Sequence, residues 1–130
     1  MKEFMLLIHN QFGSKESMSE SDHIKFLQSC ESYINELKSQ NRLIAAQPLI
    51  REGMNISGHT GEWKESPLGK SGEVQAGYYH ILAENLEDAI AIAKNNPEFA
   101  FTNTARIEVR PVKMKEVQTG FTYPVQPSVE

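Results

Sequence analysis

The sequence predicts an α+β protein with a ferredoxin-like, split βαβ sheet and two helices on one face of that sheet. Two segments carry the prediction, Glu3–His9 and Ala76–Ala83, because each is apolar or aromatic at nearly every position. A strand of that kind has no solvated face and belongs in the middle of a covered sheet. The order of the elements, β-α-β-hairpin-β-α-β, is that of the split βαβ arrangement, in which the first and third principal strands are central.

Composition restricts the classes of protein to consider. A chain of 130 residues predicts one domain with a sizeable core, and the 13 Lys and Arg residues are scattered among 17 Asp and Glu residues, which argues against nucleic-acid binding. The single cysteine, Cys30, has an apolar-facing helical spacing and is expected to be a core residue in a reducing compartment. The apolar start, Phe4–Ile8, is too short for a signal peptide or a membrane span, so we expect a cytoplasmic protein without a membrane partner.

The first helix is predicted from its cap and its periodicity. Asn10–Met18 is polar and indicates a loop, and Ser19 stands three residues before Asp22, a spacing typical of a helix start. The helix should end near Gln40, before Asn41. Its apolar positions follow one another at steps of three and four and predict one buried stripe: Ile24, Leu27, Cys30, Ile34 and Leu37.

The middle of the chain predicts further strands. Arg42–Ile50 is expected to be a strand that ends near Pro48, because proline cannot donate to a sheet ladder. Arg51–Lys64 contains three glycines between apolar residues and indicates a hairpin or a pair of short strands. Glu65–Gln75 carries proline and glycine and indicates a loop before the second central strand.

The last third of the domain repeats the pattern of helix and strand. Asn85 and Asp88 have the spacing of a second cap, and the short apolar helix that follows should stop at Pro97. Glu98–Asn103 is predicted to be a connection. Thr104–Pro111 alternates apolar and charged residues, as an outer strand with one solvated face does.

Two helices can cover only one side of such a sheet, although both central strands are apolar on both sides. The simplest cover for the other side is a second copy, so the sequence predicts a two-fold homodimer that packs sheet against sheet. We expect residues 1–112 to form the domain. Residues 113–130 form a C-terminal extension, and its aromatic residues Phe121 and Tyr123 predict packing on the domain or on the dimer partner.

The histidines are the first candidates for chemistry. His9 ends the first strand and His23 lies in the first turn of the helix, so a returning loop would place both at one mouth of the sheet, although a histidine at a helix start is also common on surfaces. His80, in the second central strand, either lines a pocket or is a hydrogen-bonded core residue. No metal-binding or nucleotide-binding motif is present in the sequence, and we predict no metal and no cofactor.

Several segments match a known family. They are Phe4-Met5-Leu6-Leu7-Ile8, Leu43-Ile44-Ala45-Ala46 with Pro48-Leu49 after it, Gly77-Tyr78-Tyr79, Leu86-Glu87-Asp88-Ala89 and Ile107-Glu108-Val109-Arg110-Pro111-Val112. On these segments the chain resembles the YCII-related proteins, in particular the branch named for an Asp-Gly-Pro-Phe motif. The motif itself differs, because this chain has Glu65-Ser66-Pro67-Leu68 in its place and keeps only the last acid of the segment that follows, as Glu73.

The resemblance implies a dimeric α+β barrel with a cleft between sheet and loops. It also implies a lyase or isomerase acting on lactone-like or chlorinated ring compounds, with a histidine and an aspartate as general acid and base. The histidine position is His23 in this chain. The acid position, before Pro97, is Asn96, and an amide cannot accept a proton as a carboxylate does.

The sequence and the resemblance together predict a small-molecule-binding homodimer with lyase or isomerase activity. A non-catalytic module that uses the sheet face for dimerisation or partner binding is the alternative, and a monooxygenase on the same barrel has less support. The expected site residues are His23 and His9 as base or orienting groups, Tyr78, His80 and Asn96 as lining groups, and Glu65 and Glu73 from the covering loop.

Overall fold

A computed structural model describes residues 1–124 and shows the predicted α+β fold. The strands are β1 (Lys2–Gln11), β2 (Leu43–Pro48), β3 (Met54–His59), β4 (Glu62–Pro67), β5 (Glu73–Ala83) and β6 (Arg106–Pro111). Four of them form an antiparallel sheet in the order β2-β5-β1-β6. The two segments without a polar face, now β1 and β5, are the central strands, which confirms the ferredoxin-like prediction.

Both long helices begin at the predicted caps. In α1 (Glu20–Ser39) the Ser19 hydroxyl accepts a hydrogen bond from the Asp22 N–H at 3.1 Å, and in α2 (Leu86–Lys94) the Asn85 side chain accepts one from the Asp88 N–H at 2.8 Å. A capping side chain satisfies one of the N–H groups that the first helical turn leaves free. After α1 the chain turns at Asn41, whose φ of 56° is a left-handed value that asparagine tolerates. None of the helices in residues 1–124 is long and apolar enough to cross a membrane.

The core lies between the two helices and one face of the sheet, which we call the helix face. Alternate residues of β1 and β5 point to this face and pack against α1 and α2; the buried set includes Phe4, Leu6, Ile8, Ile81, Ala83, Leu37, Ala89 and Ala93. The predicted stripe of α1 is buried only towards its end. Ile24 and Leu27, expected in the core, are 49% and 52% exposed, and Leu27 borders a cavity that lies between α1 and the sheet.

Strands β3 and β4 form a separate two-stranded hairpin, which confirms that part of the sequence prediction. The predicted loop Glu65–Gln75 is wrong at both ends. Residues 65–67 continue the ladder of the hairpin, where Glu65 pairs with Ile56, and residues 73–75 already pair with β1. Every side chain of the hairpin is exposed, including Trp63.

Two smaller features follow α2. The predicted connection Glu98–Asn103 contains a short helix, α3 (Glu98–Phe101). In the extension, Lys115 forms an isolated bridge with Thr122, and the Tyr123 ring packs edge-on against Phe121. The prediction for residues 125–130 lies outside the described residues.

Candidate ligand-binding site

A cavity of about 500 Å³ lies between α1 and the helix face of β2 and β5. Its walls are mainly apolar and come from β1, α1 and the segment after β2: Ile8, Phe26, Leu27, Ile34, Leu49 and Ile50. Gly77 of β5 allows β2 to approach, because a Cβ at this position would lie 2.8 Å from the Gln47 carbonyl oxygen and 3.1 Å from the Pro48 Cα. The size and apolar lining are those of small-molecule sites.

The polar floor of the cavity is held by a buried ion pair. Lys15 Nζ lies 2.5 Å from Glu98 Oε2, and the buried Asn10 side chain donates a second hydrogen bond to the same oxygen at 2.9 Å. Lys15 also lies 4.4 Å above the centre of the Phe26 ring. These contacts fix the loop after β1 against α3, and they satisfy both charges within the protein.

Asn96 is the side chain on this floor that has an unused donor. It is 3% exposed and borders the cavity, and its Oδ1 accepts a hydrogen bond from the Glu98 N–H at 2.9 Å. Its Nδ2 has no hydrogen-bond partner within residues 1–124. A buried donor without a partner costs about 1–3 kcal/mol, so the amide favours an acceptor atom from a ligand.

The tyrosines around Asn96 stay protonated. Burial raises the pKa of Tyr33 to about 12, and burial also raises the pKa of Tyr79. The nearby Asn96 amide offsets a small part of each pKa increase, without reaching ordinary hydrogen-bond geometry with either hydroxyl. The Tyr33 hydroxyl donates to the Ile92 carbonyl oxygen at 2.7 Å. Tyr33 and Tyr79 therefore add no negative charge near the cavity at neutral pH.

The mouth of the cavity carries a second pair of charges that is much looser. Arg51 Nη1 lies 3.6 Å from Glu16 Oε2. The Arg51 side chain is 16% exposed, and its buried Nε has no hydrogen-bond partner within the described residues, whereas the Glu16 side chain is 68% exposed. The Arg51 guanidinium therefore borders the cavity and has an N–H group without a hydrogen-bond acceptor among residues 1–124.

His23 and Cys30 of α1 complete the lining. Burial, followed by the nearby Glu98 carboxylate, raises the pKa of Cys30 to about 11. A thiol with that pKa is almost entirely protonated at neutral pH and is a poor nucleophile. His23 is half-buried and borders the same cavity as the Glu98 and Glu16 carboxylates.

The two histidines of the main sheet, His9 and His80, lie on the face opposite to the helices, which we call the outer face. His9 Nε2 lies 2.8 Å from Glu108 Oε1, although the contact lacks hydrogen-bond geometry, and His80 Nε2 lies 2.7 Å from Glu3 Oε1. The expectation that His9 and His23 share one mouth is therefore wrong. Ile8 points to the helix face, and the alternation of β1 directs its neighbour His9 away from α1.

The remaining predicted residues are divided between several places. Tyr78 pairs with Leu7 on the outer face and also borders the cavity. Glu65 lies on the exposed hairpin, and Glu73 accepts hydrogen bonds from Arg106, which lower the pKa of Glu73. Neither glutamate borders the cavity.

Of the predicted residues, the structure brings His23, Asn96 and Tyr78 to one cavity. Sequence reasoning missed Lys15, Arg51 and Glu98, which come from segments predicted to be a loop, the start of a hairpin and a connection, respectively. The signal for Glu98 was its place directly after Pro97, next to the position where the resemblance requires an acid.

Within residues 1–124 no group of three or more His, Cys, Asp or Glu side chains is arranged to hold a metal ion. No protein-family model matches the chain, and no curated protein matches it at a significant level.

Proposed function

We propose that this chain binds a small, largely apolar molecule in the cavity between α1 and the sheet, as a protein of the YCII type. The observation that carries the proposal is the buried Asn96 side chain, which borders a cavity of about 500 Å³ and whose Nδ2 has no hydrogen-bond partner among the described residues. Apolar pockets with a few directed polar groups are typical of ligand sites. A carbonyl, ether or hydroxyl oxygen of the ligand would satisfy this donor.

The resemblance adds a chemical proposal for the same cavity. Both positions that it implies for acid–base chemistry, His23 and Asn96, border the cavity. Glu98 is less suited to the role of the missing acid, because the buried pair with Lys15 holds its charge and Oε2 already accepts hydrogen bonds from Lys15 and Asn10. We therefore propose proton transfer of the lyase or isomerase type, with His23 as the group that takes up and returns the proton.

Ligand binding can be tested with two tryptophan variants on the same helix. Leu27→Trp places a larger side chain at the cavity wall, whereas Ile24→Trp changes a residue of similar exposure that does not border the cavity. With methyl 2-naphthoate as a neutral probe, NMR titration should show shifts at cavity residues. Leu27→Trp should weaken binding at least about tenfold, and Ile24→Trp should not. Equal binding by both variants would contradict the proposed site.

Proton transfer can be tested with a β,γ-unsaturated lactone in deuterated buffer, followed by NMR. We expect isomerisation or exchange of the ring proton by the full chain, loss of this activity in His23→Gln, and retention in His59→Gln. His59 is the matched control because it lies on the exposed hairpin. If His23→Gln keeps full activity, the role of His23 is wrong; if the unaltered chain does not act on the lactone, the activity proposal for this compound class is wrong.

We also propose a homodimer that packs through the outer face. The middle of this face carries four apolar or aromatic side chains that are only half-buried in the single chain, Met5, Leu7, Tyr78 and Leu82, around the paired His80. The second candidate function, a non-catalytic dimerisation module, rests on the same surface. The cytoplasmic location predicted from the sequence remains part of the proposal.

The dimer is tested by light scattering at micromolar concentration. The unaltered chain should have the mass of a dimer, Leu7→Lys should shift it to a monomer, and Ile56→Lys on the hairpin should not. A monomer for the unaltered chain would remove the sheet-to-sheet proposal. A dimer that binds no small molecule and has no activity would favour the module.

A further inference from the structure

We infer that the ligand of the cavity is an organic carboxylate with an apolar body, bound through its carboxylate by Arg51 at the cavity mouth. This inference rests on the proposed small-molecule function and adds the charge and position of the ligand's polar group. It depends on which of the charged residues around the cavity have contacts to spare.

Two of the charged residues around the cavity already pair with each other. Four charged residues border the cavity, Lys15, Glu16, Arg51 and Glu98, and their formal charges cancel. Lys15 and Glu98 are paired at 2.5 Å, both side chains are largely buried, and Asn10 donates a hydrogen bond to the same carboxylate oxygen, Oε2. Breaking a buried pair of this kind is costly, so neither residue is available to a ligand.

The charged pair at the mouth of the cavity, Arg51 and Glu16, is looser than the pair of Lys15 and Glu98. The contact of Arg51 with Glu16 is 3.6 Å, longer than a hydrogen bond, and Glu16 is mostly in solvent. Because the contact is long and the Glu16 carboxylate is mostly solvated, an entering anion can displace Glu16 at little cost. Glu16 then returns to water, where its charge is solvated.

The guanidinium of Arg51 has the geometry to bind a carboxylate. The Arg51 Nε is buried and has no hydrogen-bond partner within residues 1–124. Arginine presents its N–H groups as a planar fork, which matches the two oxygens of a carboxylate. A carboxylate at this position would use donors that Glu16 leaves unsatisfied.

The remaining lining describes the rest of the ligand. Between Arg51 and Asn96 the walls are formed by apolar side chains such as Phe26, Ile34 and Ile50, which favour a hydrocarbon or ring body. Asn96 offers only a donor, because its oxygen is occupied by the Glu98 N–H. A second negative charge has no free counterpart among the four charged lining residues, so the inference is a monocarboxylate.

The test uses two probes that share the naphthalene body and differ in charge and by one methyl group, 2-naphthoate and its neutral methyl ester, titrated into the full chain by NMR. The unaltered chain should bind the carboxylate at least about tenfold more tightly than the ester, since charge-assisted hydrogen bonds to arginine are strong. Arg51→Met should remove this preference and leave the affinity for the ester unchanged. Arg110→Met is the matched control, because Arg110 is an exposed arginine that does not border the cavity.

The titrations distinguish failure of the carboxylate inference from failure of small-molecule binding itself. If both probes shift cavity resonances with equal affinity, and Arg51→Met binds the carboxylate as well as the unaltered chain does, the carboxylate inference is overturned while small-molecule binding stands. If neither probe shifts the resonances of cavity residues such as Cys30 and Ile34, the proposed function fails with it.

Discussion

The two faces of the main sheet differ in how their polar side chains are paired. On the outer face, three basic side chains have a carboxylate beside them, His9 with Glu108, His80 with Glu3, and Arg106 with Glu73, although the buried His9 Nε2 lacks hydrogen-bond geometry. On the helix face, Lys15 and Glu98 satisfy each other, but Asn96 and Arg51 retain buried donors without partners among the described residues. The comparison teaches that a histidine in a central strand is a weaker sign of a site than an unsatisfied donor beside a cavity.

Adjacent leucines of β1 provide the strongest test of this difference. Leu6 points to the helix face and is fully buried, whereas Leu7 points to the outer face and is half-buried. We expect Leu6→Ala to lower the free energy of unfolding by about 4 kcal/mol, since the cavity that it leaves cannot collapse fully. Leu7→Ala should cost about 1 kcal/mol, because a half-exposed side chain loses less burial.

Urea unfolding measured at two protein concentrations checks both values. At low concentration Leu7→Ala should stay the milder variant. A loss from Leu7→Ala that approaches that of Leu6→Ala, and grows with protein concentration, would show that the outer face is covered by a second copy. Equal and concentration-independent losses would contradict the assignment of the two faces.

The next largest effect concerns the two glutamate pairs. Glu98→Gln keeps the shape of the side chain but leaves the Lys15 charge without its carboxylate in a buried setting. We expect a loss of about 3 kcal/mol in the free energy of unfolding. Glu73→Gln removes a pair with Arg106 that is largely in solvent, and a much smaller loss is expected.

Chemical unfolding at neutral pH compares the two variants directly. High salt should not restore Glu98→Gln, because ions do not screen a buried charge well. A Glu98→Gln variant as stable as Glu73→Gln would mean that Lys15 reaches solvent, and that the floor of the cavity is more open than the structure shows.

The sequence was sufficient for the sheet and insufficient for half of the site, and particular residues show why. The central strands and the caps at Ser19 and Asn85 follow from local patterns, which the neighbouring residues determine. His9 was misassigned because the sequence places it near His23 along the chain, while the pleat of β1 sends it to the other face. Arg51 and Lys15 lie outside the strands of the main sheet and the two long helices. They border the cavity because their segments fold back over it, and no residue spacing in the sequence predicts that path.

A smaller effect is expected from the paired histidine of the outer face. His80 and Glu3 lie 2.7 Å apart and both side chains are largely buried. We expect His80→Ala to cost about 2 kcal/mol, because it leaves the Glu3 carboxylate without a partner. His23→Ala, in the half-exposed first turn of α1, should stay within about 0.5 kcal/mol.

Thermal unfolding of both alanine variants gives this comparison in one experiment. If His23 serves the site and His80 serves the fold, His80→Ala should lower the free energy of unfolding and His23→Ala should leave it almost unchanged. A large loss from His23→Ala would instead indicate a packing role, and the lactone assay would then no longer isolate its chemistry.

The smallest effect concerns the pH dependence of stability, in which the two sides of the sheet act at opposite ends of the scale. On the outer side, the Arg106 hydrogen bonds lower the pKa of Glu73 in the folded protein, so their contribution is present at neutral pH and is lost as the pH falls below the ordinary range of glutamate. On the helix side, burial raises the pKa of Tyr33 from 10.0 to about 12. The unfolded chain then releases this proton first, so stability is complete below pH 10 and is lost between pH 10 and about pH 12.

Tyr33→Phe separates the alkaline part from the rest. The variant should lose about 1 kcal/mol at neutral pH, because the hydroxyl no longer donates to the Ile92 carbonyl. Above pH 10 its stability should fall less steeply than that of the unaltered chain, while the acid limb stays the same, as urea midpoints at closely spaced pH values would show. An unchanged alkaline limb would mean that Tyr33 ionises as readily in the folded chain as in the unfolded one, and that solvent reaches the region beneath the cavity.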